Sequence, residues 1–227
     1  MNTIAADKAV SGVRASTRGL RKGVDCLARA LLSLSAALLL SACGKDAPAL
    51  PALAPGDVVV AFGDSLTYGT GAGPEETYPA VLSQLLGREV IGQGVPGERT
   101  DGGLRRLPAV LDEFRPKLLL LCLGGNDMLR KVSGAETEAN LRRMVEIARA
   151  RGTSVVLIAV PAPALFGGSA KFYREIADDL ELPIEDEVLN DILRDNALKS
   201  DPIHPNALGY RRMAEAIAKL LREAGAV

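Results

Sequence analysis

The sequence predicts an α/β fold with a parallel, doubly wound sheet and helices on both faces. Three observations carry this. Residues 58–62, 118–123 and 155–160 are near-continuous apolar runs rich in branched side chains, as strands buried on both faces require. Helical periodicity fills the intervals between them. Each of the first two runs ends directly in a short block of Gly, Asp, Ser or Asn, and ligands of such sheets bind beyond the carboxyl ends of the strands.

Taken in order, residues 1–42 read as a targeting segment. A basic stretch precedes the apolar run at 30–40, which is too short for the roughly 20 apolar residues of a bilayer span but fits a signal-peptide core. The run closes in Leu40-Ser41-Ala42-Cys43-Gly44, which resembles the lipobox of bacterial lipoproteins. That resemblance implies cleavage before Cys43, lipidation of Cys43 and a periplasmic, outer-membrane placement. A plain secretory signal with an incidental cysteine is the alternative. Residues 43–56 hold Pro48, Pro51 and Pro55 without apolar periodicity and read as an extended tether; at ~3 Å per residue it reaches roughly 40 Å. Residues 57–227 then form one domain.

Within that domain the helix Tyr78–Leu86 places Val81, Leu82, Leu85 and Leu86 on one face before Gly87. A helix over 104–114 stops before Pro116, and one over 136–151 ends at Gly152. The last helix opens at Pro205, carries Tyr210, Met213, Ala214, Ile217 and Leu221 as its apolar stripe, and ends at Gly225. Shorter strands are expected at 88–91 and 183–184.

Composition narrows the function classes. With 48% hydrophobic and 24% charged residues the chain is globular, and its net charge of -1 offers no basic footprint for nucleic acid. Six basic and two acidic residues precede Cys43, so the remainder is mildly acidic. Cys26 leaves with the signal and Cys43 is lipidated, so Cys122 has no partner and reads as a small buried hydrophobe. One histidine and no paired thiols argue against a zinc site, and no cofactor or metal is expected. A monomer is expected.

Four blocks carry chemistry. His204, the single histidine, lies in Asp201-Pro202-Ile203-His204-Pro205. A serine alcohol needs an adjacent base to become a nucleophile, and imidazole suits that task. Ser65, in Gly63-Asp64-Ser65-Leu66, is the candidate nucleophile; Thr67 rules out the glycine-flanked elbow of the α/β-hydrolases. Asp201, three residues before His204, can share one short loop with it and hold Nδ1 while Nε2 faces Ser65. Gly92-Gln93-Gly94-Val95-Pro96-Gly97-Glu98 is either turn punctuation or a loop offering the Gly97 N–H to an oxyanion. In Gly124-Gly125-Asn126-Asp127, Asn126 either caps a helix or donates its amide to that oxyanion, together with the N–H groups of Ser65 and Gly97.

Together the blocks resemble the SGNH (GDSL-type) hydrolases over about residues 57–210, and most of all the periplasmic thioesterase/lysophospholipase and arylesterase branch. The resemblance implies a flavodoxin-like three-layer sandwich of about five parallel strands. It also implies ester hydrolysis of broad acyl specificity through an acyl-enzyme, with Ser65, Asp201 and His204 as triad and Ser65, Gly97 and Asn126 as oxyanion hole. The chain departs from the family in block two, where Gly97-Glu98-Arg99 replaces the usual Gly-Asp-Thr and Gly92 the usual Asn. Leu66, Leu129 and residues 161–166 form an apolar acyl groove or pack beneath a loop. A carbohydrate O-acetylesterase is the enzyme alternative, although the chain has no Trp for sugar stacking. An inactive hydrolase acting as a lipoprotein scaffold or binding module is the alternative of another class.

Overall fold

The computed structural model describes residues 47–162 and 170–227. The signal segment 1–42, Cys43 and positions 163–166 of the expected groove lie outside the described residues. Strands β1 (Val59–Gly63), β2 (Val90–Gly94), β3 (Leu118–Cys122), β4 (Ser154–Ile158) and β5 (Ile184–Glu185) form one parallel sheet in the order β2-β1-β3-β4-β5. β1 and β3 are buried throughout, which explains their unbroken apolar sequence.

Helices α1 (Ser65–Tyr68), α2 (Tyr78–Leu86), α3 (Thr100–Phe114), α4 (Gly125–Leu129), α5 (Gly134–Arg149), α6 (Lys171–Asp179), α7 (Val188–Arg194) and α8 (Ala207–Glu223) connect and follow the strands. α2 packs on α8, and α3 on α5. The chain steps one way from β1 to β2 and the other way from β2 to β3. Right-handed crossovers therefore put the α2/α8 and α3/α5 layers on opposite faces. This is the flavodoxin-like strand order, whose direction reverses between β1 and β3.

Several boundaries differ from the sequence expectations for identifiable reasons. β2 runs to Gly94, so the glycines at 92 and 94 belong to the strand rather than to the turn after it. A Cβ on Gly94 would lie 2.1 Å from the Tyr68 nitrogen; α1 crosses the strand end at backbone contact and only glycine fits. α3 begins at Thr100, four residues before the expected start. The buried Asp127 carboxylate accepts bonds there from the Thr100 N–H (2.9 Å) and hydroxyl (2.6 Å), capping the helix from α4. α8 begins at Ala207 rather than Pro205, because Asn206 supplies the cap: its Oδ1 accepts from the Gly209 N–H at 3.1 Å. Pro205 instead bridges to Lys199 in an isolated antiparallel pair.

The segment expected to be a free tether is largely docked. The Leu50 N–H donates to the Ala224 carbonyl at 2.8 Å and the Leu53 N–H to the Ala226 carbonyl at 2.9 Å. The Arg88 guanidinium donates to the carbonyls of Ala54 (3.2 Å) and Leu53 (3.3 Å). Leu50 and Leu53 pack against the hydrophobic core. The end of α8 leaves carbonyls open, and the incoming strand of chain satisfies one of them while covering apolar surface. The packed part of the chain thus reaches back to Leu50, ahead of residue 57. Replacing Leu50 and Leu53 together by Ala should destabilise it by about 2 kcal/mol, read as a lowered urea midpoint. An unchanged midpoint would return the segment to the status of a linker.

Candidate active site

The carboxyl ends of β1 and β3 lie side by side, Gly63 opposite Cys122 in the register, so the segments that follow them emerge at one place. Asp64 caps α1, its Oδ1 accepting the Leu66 N–H at 3.0 Å, and Ser65 opens the helix. Ser65 therefore carries one of the N–H groups that a helix start leaves unpaired. After β3, Gly124 takes the positive φ of +116° that turns the chain into α4 and presents Asn126 in its first turn.

His204 arrives from the other end of the chain on a loop that its own backbone holds shut. The His204 carbonyl accepts from the Ser200 N–H at 2.9 Å, and the Pro205 carbonyl accepts from the Ser200 hydroxyl at 3.2 Å. The Tyr210 hydroxyl, one turn into α8, donates to the Thr70 carbonyl at 2.9 Å and ties this end of the helix to the segment after α1. Within the loop Asp201 does two jobs. Its Oδ1 accepts the Ile203 and His204 N–H groups, both at 2.9 Å, and its Oδ2 lies 2.7 Å from His204 Nδ1. Partial burial alone would raise the Asp201 carboxyl, but the Ile203 N–H and the His204 ring and N–H outweigh it and hold it below the usual carboxylate range. His204 Nε2 lies 3.0 Å from Ser65 Oγ. The chain of contacts from Asp201 through His204 to Ser65 is unbroken; a ring protonated at Nδ1, toward Asp201, leaves Nε2 free to accept the serine proton.

Of the remaining expected residues, Asn126 lines the same cavity as Ser65 and His204, and Gly97 does not. Gly97 has φ +78°, a conformation that favours glycine, and among the described residues no carbonyl takes its N–H. Asn126 Nδ2 donates to Asp64 Oδ2 at 3.0 Å and to the Glu98 carbonyl at 3.1 Å, so both its hydrogens are held. Asp64, Ser65, Asn126 and His204 line one cavity of about 410 Å³. Its walls include the expected Leu66, Leu129 and Pro161. Val160, Leu193, Ile203 and the polar Asn190 and Arg194 were not anticipated, because no apolar run or motif marks α7 as a wall.

Two further groups escaped the sequence reading. Asp64, buried to 2% exposure, looked like a turn residue. Burial pushes its carboxyl up to about 6, against the opposing Leu66 N–H, the Asn126 amide and the charge of His204. Glu98, the departure in block two, pairs with Arg106 of α3 through two bonds, 2.6 Å from Nη2 and 3.1 Å from Nε. The same guanidinium lies 4.0 Å over the Phe62 ring and donates to the Gln93 carbonyl at 3.1 Å. A loop with Glu at 98 is thus tied to the sheet edge by its own ion pair.

The model of the GDSL-like lipase/acylhydrolase family matches residues 61–212. The thioesterase 1/protease 1/lysophospholipase L1 of Escherichia coli is 28% identical over 174 residues, 73% of this chain and 84% of that protein. Esterase TesA of Pseudomonas aeruginosa is 29% identical over 197 residues, 82% and 98% of the two chains. Among solved structures, AlinE4, an SGNH-hydrolase family esterase, is 31% identical with a TM-score of 0.58, covering 76% of this chain and 98% of its own. With the family model spanning most of the chain, the protein belongs to the GDSL-like lipase/acylhydrolase family and is a carboxylic ester hydrolase.

Proposed function

We propose that Ser65, His204 and Asp201 hydrolyse acyl esters by two-step acyl transfer. The observation that carries this is the Asp201–His204–Ser65 relay, with links of 2.7 and 3.0 Å, opening on a cavity with apolar walls. His204 Nε2 takes the Ser65 proton as Oγ attacks the ester carbonyl, then protonates the leaving alcohol. It next activates water against the acyl-enzyme while Asp201 fixes the ring and stabilises the imidazolium. The Ser65 and Gly97 N–H groups and Asn126 hold the oxyanion. Both Asn126 hydrogens are engaged beforehand, so the oxyanion competes with the neutral Glu98 carbonyl for one of them, and a full negative charge is the stronger acceptor. Asp64 acts through Asn126 as a positioning residue, holding the other hydrogen.

The substrate reading is an acyl ester of lysophospholipid, aryl or thioester type with broad acyl specificity. The walls formed by Leu66, Leu129, Val160, Leu193 and Ile203 favour an acyl chain over the sugar of an O-acetylesterase. An inactive scaffold fits poorly with an intact relay. The run Leu40-Ser41-Ala42-Cys43-Gly44 supports a periplasmic lipoprotein anchored at Cys43, and Gly44 rather than Asp favours the outer membrane. The enzyme is read as a monomer.

Ser65→Ala and His204→Ala should each lower kcat on a soluble acyl ester by about 10⁴–10⁶ without unfolding the protein, and the double variant little more. A fluorophosphonate should label Ser65 alone; labelling elsewhere would sink the assignment. Asn126→Ala should lower kcat by about 10²–10³ at nearly constant KM, since the oxyanion forms only in the transition state. A raised KM with kcat unchanged would make Asn126 a substrate-binding residue instead.

Asp64 yields a stability prediction whose sign follows from its raised carboxyl. The folded chain keeps this proton to about pH 6, whereas an unfolded Asp releases it near ~3.9. Stability is therefore lost as pH rises through that window, by roughly 2–3 kcal/mol from this group. Glu185, pushed up to about 7 by burial, contributes with the same sign in wild type and variant alike and cancels in the comparison. Urea unfolding between pH 4 and 7 should show Asp64→Asn losing less stability than wild type; parallel curves would mean that Asp64 titrates normally.

A further inference from the structure

The docked N-terminal segment fixes where the enzyme is held relative to its mouth. Ala49, Leu50 and Pro51 line a cleft with Gly152, Thr153 and Ser154, at the amino end of β4. Leu50 and Leu53 pair with Ala224 and Ala226, past the carboxyl end of α8. The catalytic loop sits at the opposite end of that helix, with His204 three residues before Ala207. α8 has 17 residues and so spans about 25 Å. Ser65 likewise follows the carboxyl end of β1, across the sheet from the entry of the chain. The mouth and the point of attachment therefore occupy opposite edges of one domain.

From Cys43 to Ala49 the sequence has six residue steps, and a fully extended chain covers no more than about 20 Å in that length. As a flexible linker it averages about 13 Å. Neither reaches the roughly 25 Å that separate the docked segment from the catalytic edge. The chain between Cys43 and the docked segment is about half as long as the tether the sequence alone implied, and it joins the domain on the wrong side for the mouth to be laid on the same membrane.

Resting on the proposed anchoring at Cys43, we infer that the anchor holds the catalytic cavity facing away from the bilayer that carries it. The esters the enzyme takes are then those dissolved in the adjoining aqueous space, small acyl and aryl esters or monomeric lysolipids, rather than esters embedded in its own membrane. Docking of residues 50–54 makes this orientation a property of the folded domain instead of an average over a loose linker.

The test uses the full chain, purified from membranes and reconstituted into phosphatidylcholine vesicles, beside a variant with 20 Gly/Ser residues inserted between Lys45 and Asp46. Such an insert raises the average reach from about 13 Å to about 28 Å. Both proteins should hydrolyse 4-nitrophenyl butyrate at the same rate. A non-exchanging fluorogenic acyl ester held in the same vesicles should be cleaved at least tenfold faster by the lengthened variant. Equal rates on the embedded ester at the two tether lengths would overturn the inference. The mass of the N-terminal peptide reports on the anchor separately. An unmodified Cys43 would refute native lipidation, and the same comparison would then be made after coupling a maleimide phospholipid to Cys43 of chains carrying C26S, Cys122 being buried. A tether-length effect in the coupled pair supports the orientation, and its absence refutes it.

Discussion

The parallel pairing of β1 with β3 is the constraint on which the site depends. Five consecutive residues of each strand face each other, from Val59 opposite Leu118 to Gly63 opposite Cys122. The two strands therefore end at the same level, and the turn carrying Ser65 meets the turn carrying Asn126. The approach is so close that a Cβ on Gly63 would lie 2.3 Å from the Cys122 carbonyl and 2.2 Å from the Thr67 hydroxyl. Any side chain there would push α1 off the strand end and move Ser65 with it.

Against that fixed floor His204 is delivered by a loop whose shape is set by a carboxylate and a hydroxyl. Asp201 folds the Ile203–His204 turn through its Oδ1 and orients the ring through its Oδ2, so backbone conformation and ring tautomer share one group. Ser200 closes the other side on the His204 and Pro205 carbonyls. The 139 residues between nucleophile and base are thus bridged by the packing of α8 on α2, with Tyr210 joining the two halves at the level of the site.

What was legible in the sequence is what local pattern determines. The buried strands announce themselves as Val/Leu runs, and α2 by its periodicity and Gly87. Ser65 and Asn126 could be placed at strand ends because their blocks follow those runs directly, and His204 stood out as the single histidine, three residues after Asp201. What was hidden depends on partners remote in the chain. The start of α3 is set by Asp127, 27 residues away, where Thr-Asp-Gly-Gly looks like a loop. Glu98 and Arg106 meet across a loop–helix junction that has no period. Leu50 and Leu53 read as linker among prolines and alanines, because the carbonyls that receive them belong to the opposite terminus. Asp64 looked like a turn residue; its second bond, to Asn126, exists only once β1 and β3 are paired.

That second bond explains why a carboxyl with a penalty for ionising sits beside a nucleophile. The charge of His204 favours the ionised form of Asp64. In the proposed mechanism the charge of that carboxylate opposes the oxyanion, which develops close by. Asn126 stands between the two, spending one hydrogen on Asp64 Oδ2 and so screening the oxyanion hole from that carboxylate. Replacing this asparagine therefore does more than remove a donor: it strips a buried charge of a hydrogen-bond partner and exposes the reacting centre to it. The cost to folding of burying Asp64 and the gain to catalysis of fixing Asn126 are consequences of one contact.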